Sequence, residues 1–425
     1  MKRCMRKAYP APPSVARCSK VRILTPTHPT QTLQRISSRS PSTALDADAL
    51  LEKAARQTGL AAGLADFGGD TFPFRKPLEI LLRSLRDEAR LNPRGTFIMH
   101  RTMLRLLTNR LLTEKAFAEN PAMTQTPIDR PLFILGFPRT GTTLLHNLLA
   151  CDPAARWLRL WEGLYPAPPP QSLEDDPRIA QVEEWAGGFE KVAPRLATAH
   201  KLEASGPEEC LWLIEHTFTD LIFELRANVP AYSKWLAEHE ADAVVYRYFH
   251  RQLQMLGTHC RGRHWVFKAP RHWAGLSGLL AVFPEARIVQ THREPTAVLP
   301  SLCSLCEILQ SAASDEIDKA AIGAQWRQRL MNIFQRGREA RANAKAEQFL
   351  DVQFTELVAD PLGAVRRIYE YHGYEYSAEF EVNMTQWLAD NRQHKHGTHR
   401  YTLEEFGLEA ARVKADFADY CEEFL

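Results

Sequence analysis

The chain has 425 residues, enough for one large domain or two modest ones, and 45% of them are hydrophobic, an ordinary share for a soluble globular protein. The formal net charge of +2 hides an uneven distribution: nine of the 53 Lys and Arg, but none of the 51 Asp and Glu, lie in residues 1–43, so the remaining body carries 44 basic against 51 acidic residues. That nearly neutral body excludes broad nucleic-acid binding and confines any cationic site to a local patch.

Residues 1–43 are rich in Pro, Ser, Thr and Arg and show no periodicity. A disordered basic tail, an organellar transit peptide and an extension upstream of the true start all fit, and the disordered tail is the expectation. Residues 44–125 read as a helical N-terminal region. Asp46 or Asp48 can cap a helix carrying Leu50, Leu51, Ala54 and Ala55, which Gly59 ends. Pro77 sits in the first turn of a second helix whose apolar stripe is Leu78, Leu81, Leu82, Leu85 and Ala89, closed by Asn92-Pro93. A third helix is predicted over 96–119.

Residues 126–425 read as one α/β domain. Apolar strands are predicted at 132–135, 264–267, 287–291 and 349–354. Helices follow Gly141, run over 274–283, start near Pro295 and open at Asp360-Pro361, while 177–260 is mostly helical. Strands alternating with helices predict a P-loop-like parallel β-sheet flanked by helices. No apolar run approaches the roughly 18 residues of a membrane span. The eight cysteines are scattered and no secretory signal is present, so they read as reduced thiols of a cytoplasmic protein. Cys303 and Cys306 make a lone C-x-x-C, read as two thiols on one helical face.

The most informative stretch is Leu-Phe-Ile-Leu-Gly-Phe-Pro-Arg-Thr-Gly-Thr-Thr, residues 132–143. A strand, a glycine-flanked loop and a helix form a cradle of backbone N–H groups for an anion. Gly136 and Gly141 keep the separation of the nucleotide-triphosphatase pattern, but Thr142 fills the lysine slot and the cation sits inside the loop, at Arg139. A second segment follows the strand at 287–291. Arg293 stands at its carboxyl end and Ser301 eight residues on, in a helix started by Pro295. An arginine fork and a serine hydroxyl at that spacing suit a phosphate clamp.

G-F-P-R-T-G-T-T resembles the 5'-phosphosulfate loop of sulfotransferases, with arginine where many members have lysine, as in the tyrosylprotein branch. Arg293 and Ser301 resemble the family's 3'-phosphate segment, and Glu-Leu-Val-Ala-Asp-Pro at 356–361 is similar to a helix start that follows it. The resemblance spans about 128–410. It implies 3'-phosphoadenosine 5'-phosphosulfate (PAPS) as co-substrate, held by Pro138, Arg139, Thr140, Gly141, Thr142, Thr143, Arg293 and Ser301. Lys395, His396 and Gly397 would stand in for the family's basic Arg-Lys-Gly loop. No metal cluster is visible and the chemistry requires none.

Sulfonate transfer needs a cation beside the oxygen that leaves with the nucleotide, and Arg139 supplies it as charge. Lys268, at a strand end, is a second cation with a counterpart in the tyrosylprotein branch, and Arg271 is its substitute. Two residues compete as the acceptor's base. Glu162 lies one helix beyond the loop, near the glutamate of the tyrosylprotein branch. His200 is the alternative, by analogy with the cytosolic branch. His146 reads as a packed helix histidine, and Glu208-Glu209 most simply as complementing the dipole of an apolar helix, with a substrate role as the alternative.

The acceptor is expected to be a small molecule or glycoconjugate offering a hydroxyl or amine, and neither its identity nor the oligomeric state can be read. A P-loop kinase is the enzyme rival, and a silent nucleotide-binding module the other.

Overall fold

The computed structural model describes residues 44–59, 65–192, 195, 202–391 and 401–425. Five strands form one parallel sheet: β1 (Leu132–Gly136), β2 (Ala155–Trp157), β3 (His264–Lys268), β4 (Arg287–His292) and β5 (Phe349–Gln353), in the order β2-β3-β1-β4-β5. Every residue of β1 and β3 is buried, as expected of strands covered on both faces.

Alternation along β1 divides the core. Leu132 and Ile134 face a cluster with Val266, Val289 and Val352, covered by Leu145, Leu148, Val365, Ile368 and Tyr369. Phe133 and Leu135 face the larger cluster on the other side, with Phe267, Ile288, Trp273, Leu276, Val298 and Leu302.

The N-terminal region consists of α1 (Ala47–Thr58), α2 (Arg75–Asp87) and α3 (Pro93–Glu119). Asp46 caps α1 through Ala49 N, and Gly59 closes it in the left-handed conformation. Asn92-Pro93 begins a helix rather than closing one: Asn92 caps α3 through Gly95 N, and Pro93 takes the first helical position, where a missing N–H costs nothing. Leu50, Leu81 and Leu107 belong to the same apolar cluster as Phe133. From α3, Asn109 donates to Leu164 O at 2.8 Å and Arg105 ion-pairs with Glu215 at 2.5 Å, which fastens the elements behind the sheet.

After β1 comes α4 (Thr142–Leu149), and after β2 comes the single turn α5 (Leu160–Leu164). α6 (Pro295–Ser311) follows β4, α7 (Lys319–Ala342) leads into β5, and α8 (Pro361–His372) is capped by Asp360. The strand β2, the long helix α7 and the helices 410–416 and 418–424 lie beyond the sequence-based expectation.

Candidate active site

Parallel pairing brings the ends of three strands to one edge. Ile134 lies opposite Lys268 on β3 and Val289 on β4, and Gly136 lies opposite Thr291. The loop after β1, the end of β3 and the residue after β4 therefore emerge together, where α/β sheets bind ligands.

The loop between β1 and α4 is tightly wound. Gly136, Arg139 and Gly141 have φ of 142°, 70° and 88°. A Cβ on Gly136 would lie 2.4 Å from Thr291 O, and one on Gly141 3.0 Å from the Phe354 ring. Arg139 carries a left-handed conformation that is costly for a residue with a side chain. Thr140 closes the loop from inside, its hydroxyl bonding Phe137 O at 2.7 Å and Thr291 Oγ1 at 2.6 Å. Thr142 is buried and Thr143 exposed at the first turn of α4. Gly141 caps that helix without a side chain, so its first N–H groups stay available to an anion.

The second segment meets this loop. Arg293 Nη1 donates to Arg139 O at 2.9 Å, and Arg139 Nε donates to Ser301 Oγ at 3.0 Å. The Arg293 guanidinium stacks 4.1 Å above the Phe354 ring. Burial lowers the Arg293 pKa and the Arg139 charge lowers it further, with Tyr401 opposing. Among the described residues no carboxylate pairs with Arg293. Two guanidiniums converge on a backbone cradle, an arrangement stabilised by a multiply charged anion.

Lys268 comes from the end of β3. It is buried, its ammonium pairs with Glu209, and Nζ lies 3.5 Å from Thr143 Oγ1. The Glu209 side chain is 17% exposed, so it meets the lysine without being sealed from solvent. Its neighbour Glu208 accepts from Trp212 Nε1 at 3.1 Å and from Glu209 N at 3.0 Å. The helix-dipole reading of the glutamate pair did not foresee the contact with Lys268. The signal present was the pair itself, directly before an apolar helix.

Glu162 is placed differently. It is fully buried, paired with both guanidinium nitrogens of Arg156, and Oε2 accepts from Arg159 N at 3.0 Å. Both oxygens are committed to holding α5 against β2. Arg271 is also buried, donating to Glu240 O at 2.8 Å and facing Asp220 at 3.4 Å. His146 is buried with no partner at Nε2, and burial with the nearby Lys268 charge lowers its pKa to about 3, Glu208 opposing. His200, Lys395, His396 and Gly397 lie outside the described residues.

A parallel sheet with an arginine-bearing glycine loop after its central strand is the architecture of the P-loop-like α/β proteins. The sulfotransferase family description matches residues 131–378, and the chain belongs to that family and has its sulfotransferase activity. Among solved structures, sulfotransferase STF1 of Mycobacterium tuberculosis is 33% identical with a TM-score of 0.78, covering 88% of this chain and 98% of that one. STF9 of Mycobacterium avium is 29% identical with a TM-score of 0.81, over 89% and 97% of the two chains. The omega-hydroxy-beta-dihydromenaquinone-9 sulfotransferase Stf3 of Mycobacterium bovis is 25% identical over 299 residues, 65% of this chain and 71% of that protein. Among the described residues no helix is long and apolar enough to cross a membrane.

Proposed function

We propose that the chain transfers sulfonate from PAPS to a hydroxyl of an apolar small molecule. The observation that carries the reading is the linked set Arg293, Arg139 and Ser301 over the loop at the end of β1. Sulfotransferases generally use PAPS, and two guanidiniums brought together over a backbone loop suit a donor with phosphate at both ends of its ribose. The backbone of Pro138, Arg139, Thr140, Gly141, Thr142 and Thr143 would cradle the 5' end. Arg293 and Ser301 would hold the 3'-phosphate.

In the transfer, the bond from sulfur to the oxygen bridging the 5'-phosphate breaks as the acceptor oxygen bonds to sulfur. Negative charge builds on the leaving phosphate oxygen, and Arg139 and Lys268 stabilise it. Arginine, with a pKa above about 12, contributes charge and no proton. The acceptor's proton goes to Glu209, the partly exposed glutamate whose carboxylate touches Lys268. Glu162, held on both oxygens by Arg156 and Arg159, instead keeps α5 in place.

An apolar acceptor fits the surroundings of Glu209. Trp212 follows it by three residues, with Trp185 edge-on at 6.0 Å and Phe189 stacked on Trp185 at 5.5 Å. The hydroxylated quinone in the name of Stf3 is an acceptor of this chemical type.

The test is a thermal-shift panel of adenosine 3',5'-bisphosphate against ADP, ATP and NAD. Selective stabilisation by the bisphosphate that Arg293→Ala abolishes is the expected result. A shift that survives Arg293→Ala, or a preference for ATP with magnesium, overturns the reading.

A further inference from the structure

The C-terminal helix Ala418–Phe424 reaches back to both halves of the donor clamp through one side chain, Tyr420. Its ring is fully buried and lies 5.0 Å from the Phe137 ring, inside the loop after β1. Its hydroxyl lies 3.4 Å from Arg293 N and 3.2 Å from His292 Nδ1, at the end of β4. The helix is itself fastened at both sides, with Arg338 on Glu423 at 2.8 Å and Gln353 donating to Phe424 O at 2.5 Å.

The proton positions in this chain are determined. Asp351 is held well below the usual carboxylate range: burial opposes, but the hydrogen bonds from Arg341 and His292 outweigh it. Arg341 contacts both its oxygens at 2.7 Å, and His292 Nε2 lies 2.7 Å from Oδ1. An ionised carboxylate accepts only, so His292 donates from Nε2. Burial keeps His292 neutral, which leaves Nδ1 as an acceptor. Tyr420 therefore donates its proton to Nδ1 and accepts from the Arg293 N–H. The order runs one way, from the Arg293 backbone through Tyr420 and His292 to Asp351.

We propose that Tyr420 is a positioning residue that ties the loop after β1 to the backbone of Arg293, so that the two ends of the nucleotide meet a clamp of fixed span. The proposal rests on reading Arg293 as the arm for the 3'-phosphate. Removing the hydroxyl would leave the buried His292 Nδ1 and the half-buried Arg293 N–H without this partner, and unpaired buried polar groups force local rearrangement. The arm that shifts is the one facing the 3'-phosphate, while the ring packed on Phe137 remains.

The experiment is titration calorimetry of the full chain with adenosine 3',5'-bisphosphate and with AMP, which lacks the 3'-phosphate, for the parent, Tyr420→Phe and Arg293→Ala. Tyr420→Phe is expected to reduce the preference for the bisphosphate over AMP about tenfold, by weakening the bisphosphate alone. Asp351→Ala, which removes the acceptor that sets the His292 tautomer but leaves Tyr420 intact, is expected to move the preference the same way. A preference within about twofold of the parent in Tyr420→Phe, or an equal loss for both ligands, overturns the proposal. If Arg293→Ala also leaves the preference intact, the fault lies in the reading of Arg293. If Arg293→Ala abolishes it while Tyr420→Phe does not, Tyr420 alone is excluded.

Discussion

Arg293 donates to the carbonyl oxygen of Arg139 at 2.9 Å across 154 residues of sequence, so the two segments that would grip opposite ends of a nucleotide are joined to each other. Arg293→Lys is therefore not conservative. A lysine keeps the charge but loses the fork that bonds the loop while still facing the ligand. Bisphosphate affinity is expected to fall roughly ten- to hundredfold in Arg293→Lys, since charge-assisted hydrogen bonds are worth about 1.5–3 kcal/mol, with calorimetry as the check.

Two glutamates make different predictions. Glu209→Gln removes the proton acceptor and also leaves the buried Lys268 without its countercharge, so kcat is expected to fall by roughly 10²–10⁴-fold in the folded protein, alongside a lower Tm. Glu162→Gln leaves Arg156, 2% exposed, without its countercharge, and loss of one buried partner costs about 3–5 kcal/mol. It is expected to lower Tm or abolish soluble expression. Turnover assays alongside thermal melts separate the two. A catalytic defect in folded Glu162→Gln with none in Glu209→Gln would reverse the assignment.

Gly136→Ala should be among the most damaging small substitutions. The new methyl would meet Thr291 O at 2.4 Å, and φ of 142° is strained for any side chain. Loss of bisphosphate binding and a lower Tm are expected together. Gly187→Ala, where a Cβ meets open space, is the control that should leave both unchanged or slightly improve stability.

Buried histidines set an acid limit. His146 and His216 are both lowered to about 3, first by burial and then by a nearby cation, Lys268 and Arg105 respectively. Below about pH 6.5 the unfolded chain takes up protons that the folded chain refuses, so the stability present above that pH is lost as pH falls toward 3. At pH 4.5 each such histidine costs roughly 2–3 kcal/mol. Melts from pH 7.5 to 4.5 should show a falling Tm, with a shallower fall in His216→Gln.

The two segments proposed to hold the nucleotide could be read from the chain because each is contiguous. Strand, turn and helix occupy residues 132–149 in one run, and Arg293 and Ser301 flank a helix start marked by Pro295. What was hidden depends on distant pairing. Lys268 meets Glu209 across 59 residues, and nothing near either one announces the other. Glu162 sits at a plausible distance past the loop, but its committed partner is Arg156 on β2, a strand of three residues with too little pattern to recognise. Tyr420 reaches Arg293 from 127 residues away, out of a helix that carries no motif.

The alignment of β1, β3 and β4 also acts as a ruler. Sliding β4 by one residue along β1 would carry Arg293 about 3.3 Å, beyond hydrogen-bonding reach of the Arg139 carbonyl, and would turn its side chain to the opposite face. A chain with the right helices but a slipped sheet would look nearly native in helix content yet fail to recognise a 3'-phosphate. On the proposed reading, bisphosphate binding would report strand register in this molecule, usable during refolding before any acceptor has been identified.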